Sequence, residues 1–188
     1  MLDFSNSKIL IVGDVMLDKY YFGKVDRISP EAPVPIVNIQ KEESRLGGAS
    51  NVANNIVSLG GHSLLCGVIG HDLFGKEIER ISRHKNIDTF LLKTSSPTIT
   101  KARIIGGKQQ IVRVDYEDKS ELNADNKKLF RDTISRILPE YDILVISDYG
   151  KGLISEDLCR YLIKLAHKYD KKVIIDPKGK NWEKYSGA

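Results

Sequence analysis

Two adjacent glycines, Gly47 and Gly48, stand directly before a helix-like stretch, and Asn51 follows within its first turn. Glycine lets the backbone approach a ligand without a Cβ in the way, and the first N–H groups of a helix point outward from its start. The amide of Asn51 can both donate to and accept from sugar hydroxyls. The pattern indicates a binding site for a polar ligand, although a bare Gly-Gly pair is also typical of a plain loop that enters a helix.

Two carboxylates, Asp14 and Asp18, follow the first apolar run of the chain. An ionised aspartate accepts hydrogen bonds only, and it can take two at once, as a pair of neighbouring hydroxyls requires. Either carboxylate could therefore bind a sugar, and either could instead lie on the solvated surface. For Asp14 a sugar-binding role and the capping of a local turn are equally compatible with the sequence.

Two cations, Lys101 and Arg103, lie two residues apart in a strand-like segment, so both side chains should point to the same face. Such a pair could hold a phosphate, with the guanidinium as a bidentate donor. Alternating charge on the solvent face of a strand explains them equally well.

Further polar residues follow the later apolar runs. Asp148 could accept sugar hydroxyls and Lys151 could bind a phosphate, or either could cap the turn before Ser155. Asp176 and Lys178 likewise lie at the carboxyl end of the last apolar run. We expect all of them at the ligand-binding edge of a sheet.

Alternating strands and helices would bring these residues together. Four short apolar runs predict buried parallel strands, namely KILIVG from Lys8, HSLLCGVIG from His62, DILVIS from Asp142 and KKVIID from Lys171. Helices are predicted between them, at 49–59, 73–84, 123–138 and 156–169, the last with Ser155 as its N-cap. The order predicts an α/β fold with a doubly wound, mainly parallel sheet.

Two segments, at about 19–41 and 97–117, alternate apolar and polar residues instead. They predict a small antiparallel β lid that projects near the carboxyl ends of the main strands. Pro30, Pro33 and Pro35 favour an edge or a turn in the first segment.

Composition excludes several function classes. The net charge is +4, but charges of both signs are interspersed, which is not typical of a nucleic-acid-binding strip. Cys66 and Cys159 lie far apart and outside any metal-binding spacing, so neither a zinc site nor a disulfide framework is indicated. The amino-terminal segment MLDFSNSKILIVGD has an acidic residue at position 3, and its apolar stretch is too short for a signal peptide or a membrane span. We expect a cytoplasmic protein without membrane or nucleic-acid partners.

The glycine pattern extends further along the chain. Gly47-Gly48-Ala49-x-Asn51-x-Ala53, with Gly60 and Gly70 at their offsets, resembles the first signature of the ribokinase (PfkB) carbohydrate kinases. The run from Gly70 to Gly75 resembles their G-x-D-x-F-G segment. It also resembles a phosphate loop, but Glu77 stands where a magnesium-binding hydroxyl is required, so we reject that interpretation.

Within this family, three segments resemble the kinases of heptose 7-phosphate, at 14–35, 100–116 and 147–152. The resemblance implies a ribokinase-like fold and ATP-dependent phosphorylation of the C1 hydroxyl of the heptose, with Mg²⁺, for ADP-heptose and lipopolysaccharide synthesis. It implies substrate contacts from Asp18, Gly47, Gly48 and Asn51 and a homodimer that pairs through the lid. A nucleotidyltransferase domain follows the kinase in some members.

The catalytic motif of the family, D-T-x-G-A-G-D, does not occur in these 188 residues, and neither does its N-x-x-E segment. We therefore expect the chain to be an inactive fragment that lacks the carboxyl-terminal part of the fold, with no catalytic residue and no tightly bound ATP or Mg²⁺. Three alternatives remain open: another PfkB sugar or phosphosugar kinase, a non-catalytic sugar-phosphate-binding or dimerisation module, and a signalling receiver domain with Asp14, Asp148 and Lys178 as its site.

Overall fold

The computed structural model describes residues 4–179 and 181–188. Two sheets and four α-helices alternate along the chain as β1 (Lys8–Gly13), β2 (Val15–Ile28), β3 (Pro35–Gly48), α1 (Ala49–Ser58), β4 (His62–Gly70), α2 (Leu73–His84), β5 (Asp88–Thr94), β6 (Thr100–Gly106), β7 (Gln109–Tyr116), α3 (Ala124–Ile137), β8 (Ile143–Ser147), α4 (Glu156–Lys168) and β9 (Lys172–Asp176). Single turns of 3-10 helix lie at Leu138–Glu140 and Glu183–Tyr185.

The main sheet has five parallel strands in the order β5-β4-β1-β8-β9. This confirms the predicted α/β class and all four strands inferred from apolar runs. The fifth strand, β5, was not predicted. Its sequence is DTFLLKT and most of its side chains are only partly buried at the sheet edge, so it lacks the continuous apolar run of a central strand.

Helices cover both faces of the main sheet and form two apolar cores. Phe130 of α3 and Leu162 of α4 are fully buried on one face, whereas Ile78 of α2 and Ala53 of α1 are fully buried on the other. Burying each large side chain contributes about 1.5–3 kcal/mol. The central strands must therefore be apolar on both sides, which is why their sequences are the easiest to recognise.

Three of the four helices begin at a side-chain cap. Asp72 accepts a hydrogen bond from the N–H of Gly75 at 2.8 Å, and Asn123 accepts one from Asn126 at 2.8 Å. Ser155 accepts one from Leu158 at 3.3 Å, which confirms the predicted N-cap of α4. Among the described residues, no side chain caps α1, whose N-cap is Gly48.

The second sheet has four strands in the order β3-β2-β6-β7, and we call it the lid. Its outer pairs, β2–β3 and β6–β7, are antiparallel hairpins, but its central pair, β2–β6, is parallel. The expected antiparallel pairing of the lid is therefore found in its two hairpins but not in its central pair. Both central strands leave the carboxyl edge of the main sheet, where the N–H of Leu17 bonds to Ile99 at 2.9 Å, and so they run in the same direction.

Across the described ranges, no helix combines the length and the apolar content that crossing a bilayer requires.

Candidate functional site

A cleft of about 630 Å³, which we call the lid cleft, lies between the lid, the start of α1 and the loop after β8. It brings together six of the nine residues predicted to bind substrate. The lining residues are Met16, Asp18, Tyr20, Ser44, Arg45, Leu46, Gly47, Gly48, Asn51, Asn54, Lys85, Lys101, Arg103 and Tyr149. The three predicted residues outside this cleft are Asp14, Asp148 and Lys151.

Glycine is required at positions 47 and 48 because the end of β3 lies very close to the start of β2. Gly48 has a φ of 54°, and a Cβ placed on it would lie 2.4 Å from the carbonyl oxygen of Asp14. A Cβ on Gly47 would lie 2.5 Å from Oδ2 of Asp18. A side chain at position 48 would displace the backbone of Asp14, and one at position 47 would displace the Asp18 carboxylate. The two glycines therefore determine the shape of the cleft.

Hydrogen bonds hold the start of α1 in place beneath the cleft. The hydroxyl of Ser50 donates to the carbonyl of Gly47 at 2.6 Å and also approaches that of Met16 at 3.2 Å. The N–H of Ala49 donates to the carbonyl of Asp14 at 3.0 Å. Asn51, the residue predicted from the sequence to bind sugar hydroxyls, lies one residue further on and lines the cleft.

Asp18 and Arg103 form an ion pair across the parallel strands β2 and β6. The distance from Nη1 of Arg103 to Oδ1 of Asp18 is 2.6 Å, and each side chain is 22% exposed. Lys101 precedes Arg103 by two residues and shares its face, with Nζ 6.0 Å from the ring centroid of Tyr149. An acceptor for hydroxyl groups therefore stands beside two cations.

The sequence interpretation missed two further contributors to this charge. Arg45 and Arg103 both lie against the ring of Tyr20, with guanidinium carbons 4.8 and 5.2 Å from its centroid. Such stacking fixes the guanidinium planes. Lys85, which follows α2, also lines the cleft. Arg45 sits opposite Asp18 in the β2–β3 register, a contact that only the pairing of the strands reveals.

The cleft has four cationic side chains and one carboxylate in its lining: Arg45, Lys85, Lys101, Arg103 and Asp18. Arg45 is paired with Glu43 and Arg103 with Asp18, so Lys85 and Lys101 are the lining cations without an ion pair among the described residues. These two lysines and the polar groups beside them favour a ligand that carries both an anionic group and hydroxyl groups.

Asp14 has a structural role in this arrangement. It is 2% exposed, and its Oδ2 accepts hydrogen bonds from the N–H groups of Tyr149 at 2.8 Å and Lys151 at 3.1 Å. Burial, with a smaller effect from the Asp148 charge, raises the pKa of this carboxyl group, although the backbone N–H groups of Tyr149, Lys151 and Leu153 oppose the shift. Asp14 therefore fixes the loop that carries Tyr149 into the cleft.

Asp148 and Lys151 are engaged within the protein. The Asp148 carboxylate is 2% exposed, forms an ion pair with Lys184 and accepts a hydrogen bond from the hydroxyl of Tyr185 at 2.6 Å. Lys151 forms an ion pair with Glu117. Asp176 accepts a hydrogen bond from the hydroxyl of Ser147 at 3.1 Å. These contacts hold the carboxyl edge of the sheet together.

The described residues include no group of three or more His, Cys, Asp or Glu side chains arranged to hold a metal ion. Cys66 and Cys159 are both buried thiols, and burial raises the pKa of Cys159 to about 11.

The main parallel sheet, with a lid above its carboxyl edge and a sugar-sized polar cleft between them, defines the ribokinase-like class of fold. The model of the pfkB family carbohydrate kinases matches residues 6–186. The chain belongs to this family.

The chain is 48% identical over 183 residues to the bifunctional protein HldE of Helicobacter pylori strain P12, covering 96% of this chain and 40% of that protein. It is 44% identical over 185 residues to the D-beta-D-heptose 7-phosphate kinase of Bordetella bronchiseptica, covering 98% of this chain and 58% of that protein. The chain thus spans between 40% and 58% of the length of these relatives.

Solved structures share the fold at lower identity. The tetrameric inhibited form of phosphofructokinase-2 from Escherichia coli matches with a TM-score of 0.71 and 20% identity, over 95% of this chain and 57% of that one. A carbohydrate kinase from Agrobacterium tumefaciens matches with a TM-score of 0.67 and 17% identity, over 90% and 53% of the two chains.

Proposed function

We propose that this chain forms the acceptor-binding part of a kinase that transfers the γ-phosphoryl group of ATP to the C1 hydroxyl of D-glycero-β-D-manno-heptose 7-phosphate. The product would be the 1,7-bisphosphate, a precursor for ADP-heptose and the lipopolysaccharide core. The sequence identity of 48% to a protein named HldE and of 44% to a protein named D-beta-D-heptose 7-phosphate kinase supports this substrate.

The lid cleft is the observation that carries the proposal. Asp18 and Asn51 present acceptors and donors for sugar hydroxyls, and Lys101 and Arg103 stand on the adjoining strand for a phosphate. A phosphorylated sugar uses both halves of this lining, whereas an unphosphorylated sugar would leave Lys101 without an anionic ligand, since only Arg103 is already paired with Asp18. A kinase for another phosphosugar of this family is the alternative, and the identity of the phosphorylated ligand that binds best would decide between them.

Catalysis would need groups that these 188 residues do not contain. The D-T-x-G-A-G-D motif, whose aspartate takes the proton of the acceptor hydroxyl in this family, does not occur in the sequence. Strand β9 lies at the edge of the main sheet, which leaves its outer backbone groups open to a further strand, and the 52% exposed side chain of Ile174 leaves apolar area on one face open to further packing. We infer that this chain binds the acceptor but does not turn it over, and that ATP and Mg²⁺ serve the full-length enzyme.

The exposed lid would also support a homodimer. Four apolar side chains on β7 are exposed, namely Ile111, Val112, Val114 and Tyr116. We propose that the lid of a second copy of the chain covers this surface. An exposed edge strand with apolar side chains can pair with the same strand of another copy in a self-complementary interface.

Calorimetric titration of heptose 7-phosphate into the purified chain tests the proposal, with Asp18→Asn as the matched variant. Saturable binding to the wild type that weakens at least about tenfold in the variant is expected, because the amide accepts fewer hydroxyl donors. A folded wild-type chain that takes up no heptose 7-phosphate would contradict the proposed substrate site. Measurable phosphoryl transfer from ATP by the chain alone would contradict the proposed lack of turnover.

A further inference from the structure

A second cavity, of about 370 Å³, lies at the carboxyl ends of β1, β4 and β5, and we call it the polar pocket. It is bounded by the 94–99 segment that leads to the lid and by the 118–126 segment that enters α3. It shares no lining residue with the lid cleft. The proposed sugar kinase activity gives it no role.

Two buried polar atoms without a hydrogen-bond partner belong to residues that line this pocket. These are Oδ1 of Asp14 and Oγ1 of Thr94, within the described part of the chain. Asp14 is only 2% exposed, and the backbone of the 149–151 loop uses only its other oxygen. The backbone N–H of Leu153 lowers the pKa of the carboxyl group weakly but makes no hydrogen bond of normal geometry to Oδ1. A buried carboxylate oxygen without a donor is unfavourable, so a group that donates hydrogen bonds would be stabilised here.

The charges around the pocket favour a cation. Lys151 is neutralised by Glu117, and Glu121 is neutralised by Lys127. Asp118 receives only hydroxyl and backbone donors, from Ser96 and Ser120.

Neither Asp14 nor Asp118 has a basic partner among the described residues. The start of α3 does not reverse this balance, because Asn123 caps it and Asp125 lies in its first turn.

Apolar side chains complete the lining and argue against a bare metal ion. They come from the ends of β1 and β4, from the segments beside them and from the loop after β8, and they are Val15, Val68, Ile69, Ile99, Leu122 and Leu153. An ion bound mainly by solvent would gain nothing from such a surface, whereas the carbon skeleton of an organic molecule would bury apolar area against it.

We propose that the polar pocket binds a small organic molecule through a protonated amine. The ammonium group donates hydrogen bonds to Oδ1 of Asp14 and Oγ1 of Thr94, and its carbon atoms pack against Val68 and Ile69. A charge-assisted hydrogen bond to a buried carboxylate is stronger than one between neutral groups, so the amine is preferred to a hydroxyl of the same size.

A titration followed by NMR tests this with three probes of similar size: ethanolamine, which is cationic at pH 7, ethylene glycol, which is neutral, and glycolate, which is anionic. Ethanolamine is expected to shift the signals of Thr94, Val68 and Ile69 in a saturable manner and to bind at least about tenfold more tightly than the other two. Signals of Lys101 and Arg103 in the lid cleft should not move.

The matched variants are Thr94→Val, which removes the unpartnered hydroxyl without breaking a known bond, and Thr89→Val on the same strand outside the pocket. Ethanolamine binding should weaken about fivefold or more in Thr94→Val and should be unchanged in Thr89→Val, with both variants melting as the wild type does. Equal binding of ethylene glycol would overturn the proposal because charge would not be recognised. The absence of any shift at Thr94 would also overturn it, since the pocket would then hold water only.

Discussion

The main sheet and the lid differ in how their strands are buried. Strand β8 is buried along nearly its whole length, with Leu144 and Ile146 inaccessible to solvent, whereas every residue of β7 in the lid is exposed. Yet the lid supplies Asp18, Lys101 and Arg103 to the cleft. The main sheet thus contributes most of the buried core, whereas the lid contributes charged side chains to the cleft. Substitutions in the main sheet should therefore destabilise the protein, and substitutions in the lid should change ligand binding or self-association.

The largest effect is expected in the core of the main sheet. Replacing the fully buried Phe130 by alanine should lower the free energy of unfolding by about 3–5 kcal/mol, because the neighbouring side chains cannot close the cavity. Urea denaturation measures this loss. Leu129→Ala is the control, since Leu129 precedes it on α3 and is 47% exposed. Equal losses in the two variants would show that α3 does not pack as described.

The junction between the two sheets should be the next most sensitive region. Gly48→Ala combines a positive φ with a clash against the carbonyl of Asp14, and we expect a loss of about 2–3 kcal/mol. Gly107→Ala separates the two causes, because Gly107 has a φ of 64° with no atom near its added Cβ. That control should lose only about 1 kcal/mol. If thermal unfolding showed that Gly107→Ala loses as much stability as Gly48→Ala or more, the close approach of Gly48 to the Asp14 carbonyl would be contradicted.

The same junction should give the protein a pH-dependent stability. Because burial raises the pKa of Asp14 in the folded state, the folded form holds this proton more tightly than the unfolded form. The contribution of Asp14 is therefore greatest at low pH and is lost as the pH rises through its folded pKa.

Asp14→Asn removes this titration. From about pH 4 to about pH 7, the unfolding free energy of the wild type should fall relative to that of the variant. Chemical denaturation across this range measures the difference, with the exposed Asp26→Asn as the control. If the wild type instead gained stability relative to Asp14→Asn as the pH rose, the pKa of Asp14 would be lowered by folding rather than raised.

The smallest effect on stability is expected on the lid surface. Val112→Lys on β7 should change the free energy of unfolding by less than about 0.5 kcal/mol, since Val112 is 45% exposed. It should nevertheless weaken self-association, which light scattering after gel filtration would detect. Leu59→Lys, an exposed apolar position outside the lid, is the control. A dimer that survives Val112→Lys unchanged would argue against pairing through β7.

The same difference in burial explains which parts of the fold were predictable. Strands that are covered on both faces must be apolar throughout, so β1, β4 and β8 were recognisable from sequence. Strand β9 was recognised from its apolar run Val173–Ile175 alone, because it is an edge strand with no buried residue. The half-exposed β5 lacks that signal. The parallel pairing of β2 with β6 depends on where both strands leave the main sheet, which local alternation of residues does not encode.

Predictability of the candidate site followed a similar rule. Gly47, Gly48 and Asn51 were recognisable because their spacing is local, and Lys101 and Arg103 because two residues along a strand share a face. Asp14 and Asp148 looked like ligand groups, but their partners are the backbone of Tyr149 and the side chain of Lys184. Those partners are distant in sequence, and only the folded chain shows that Asp148 and the Oδ2 atom of Asp14 are engaged within the protein.

The central claim is that the lid cleft recognises a phosphorylated sugar through cations supplied by the lid. The most direct test compares the affinities of heptose 7-phosphate and its dephosphorylated analogue for the wild type, for Lys101→Met and for the control Lys108→Met, which lies on the lid hairpin outside the cleft. We predict that the wild type and the control prefer the phosphorylated ligand by about tenfold or more, and that Lys101→Met loses most of this preference. An equal preference in all three proteins would contradict the claim.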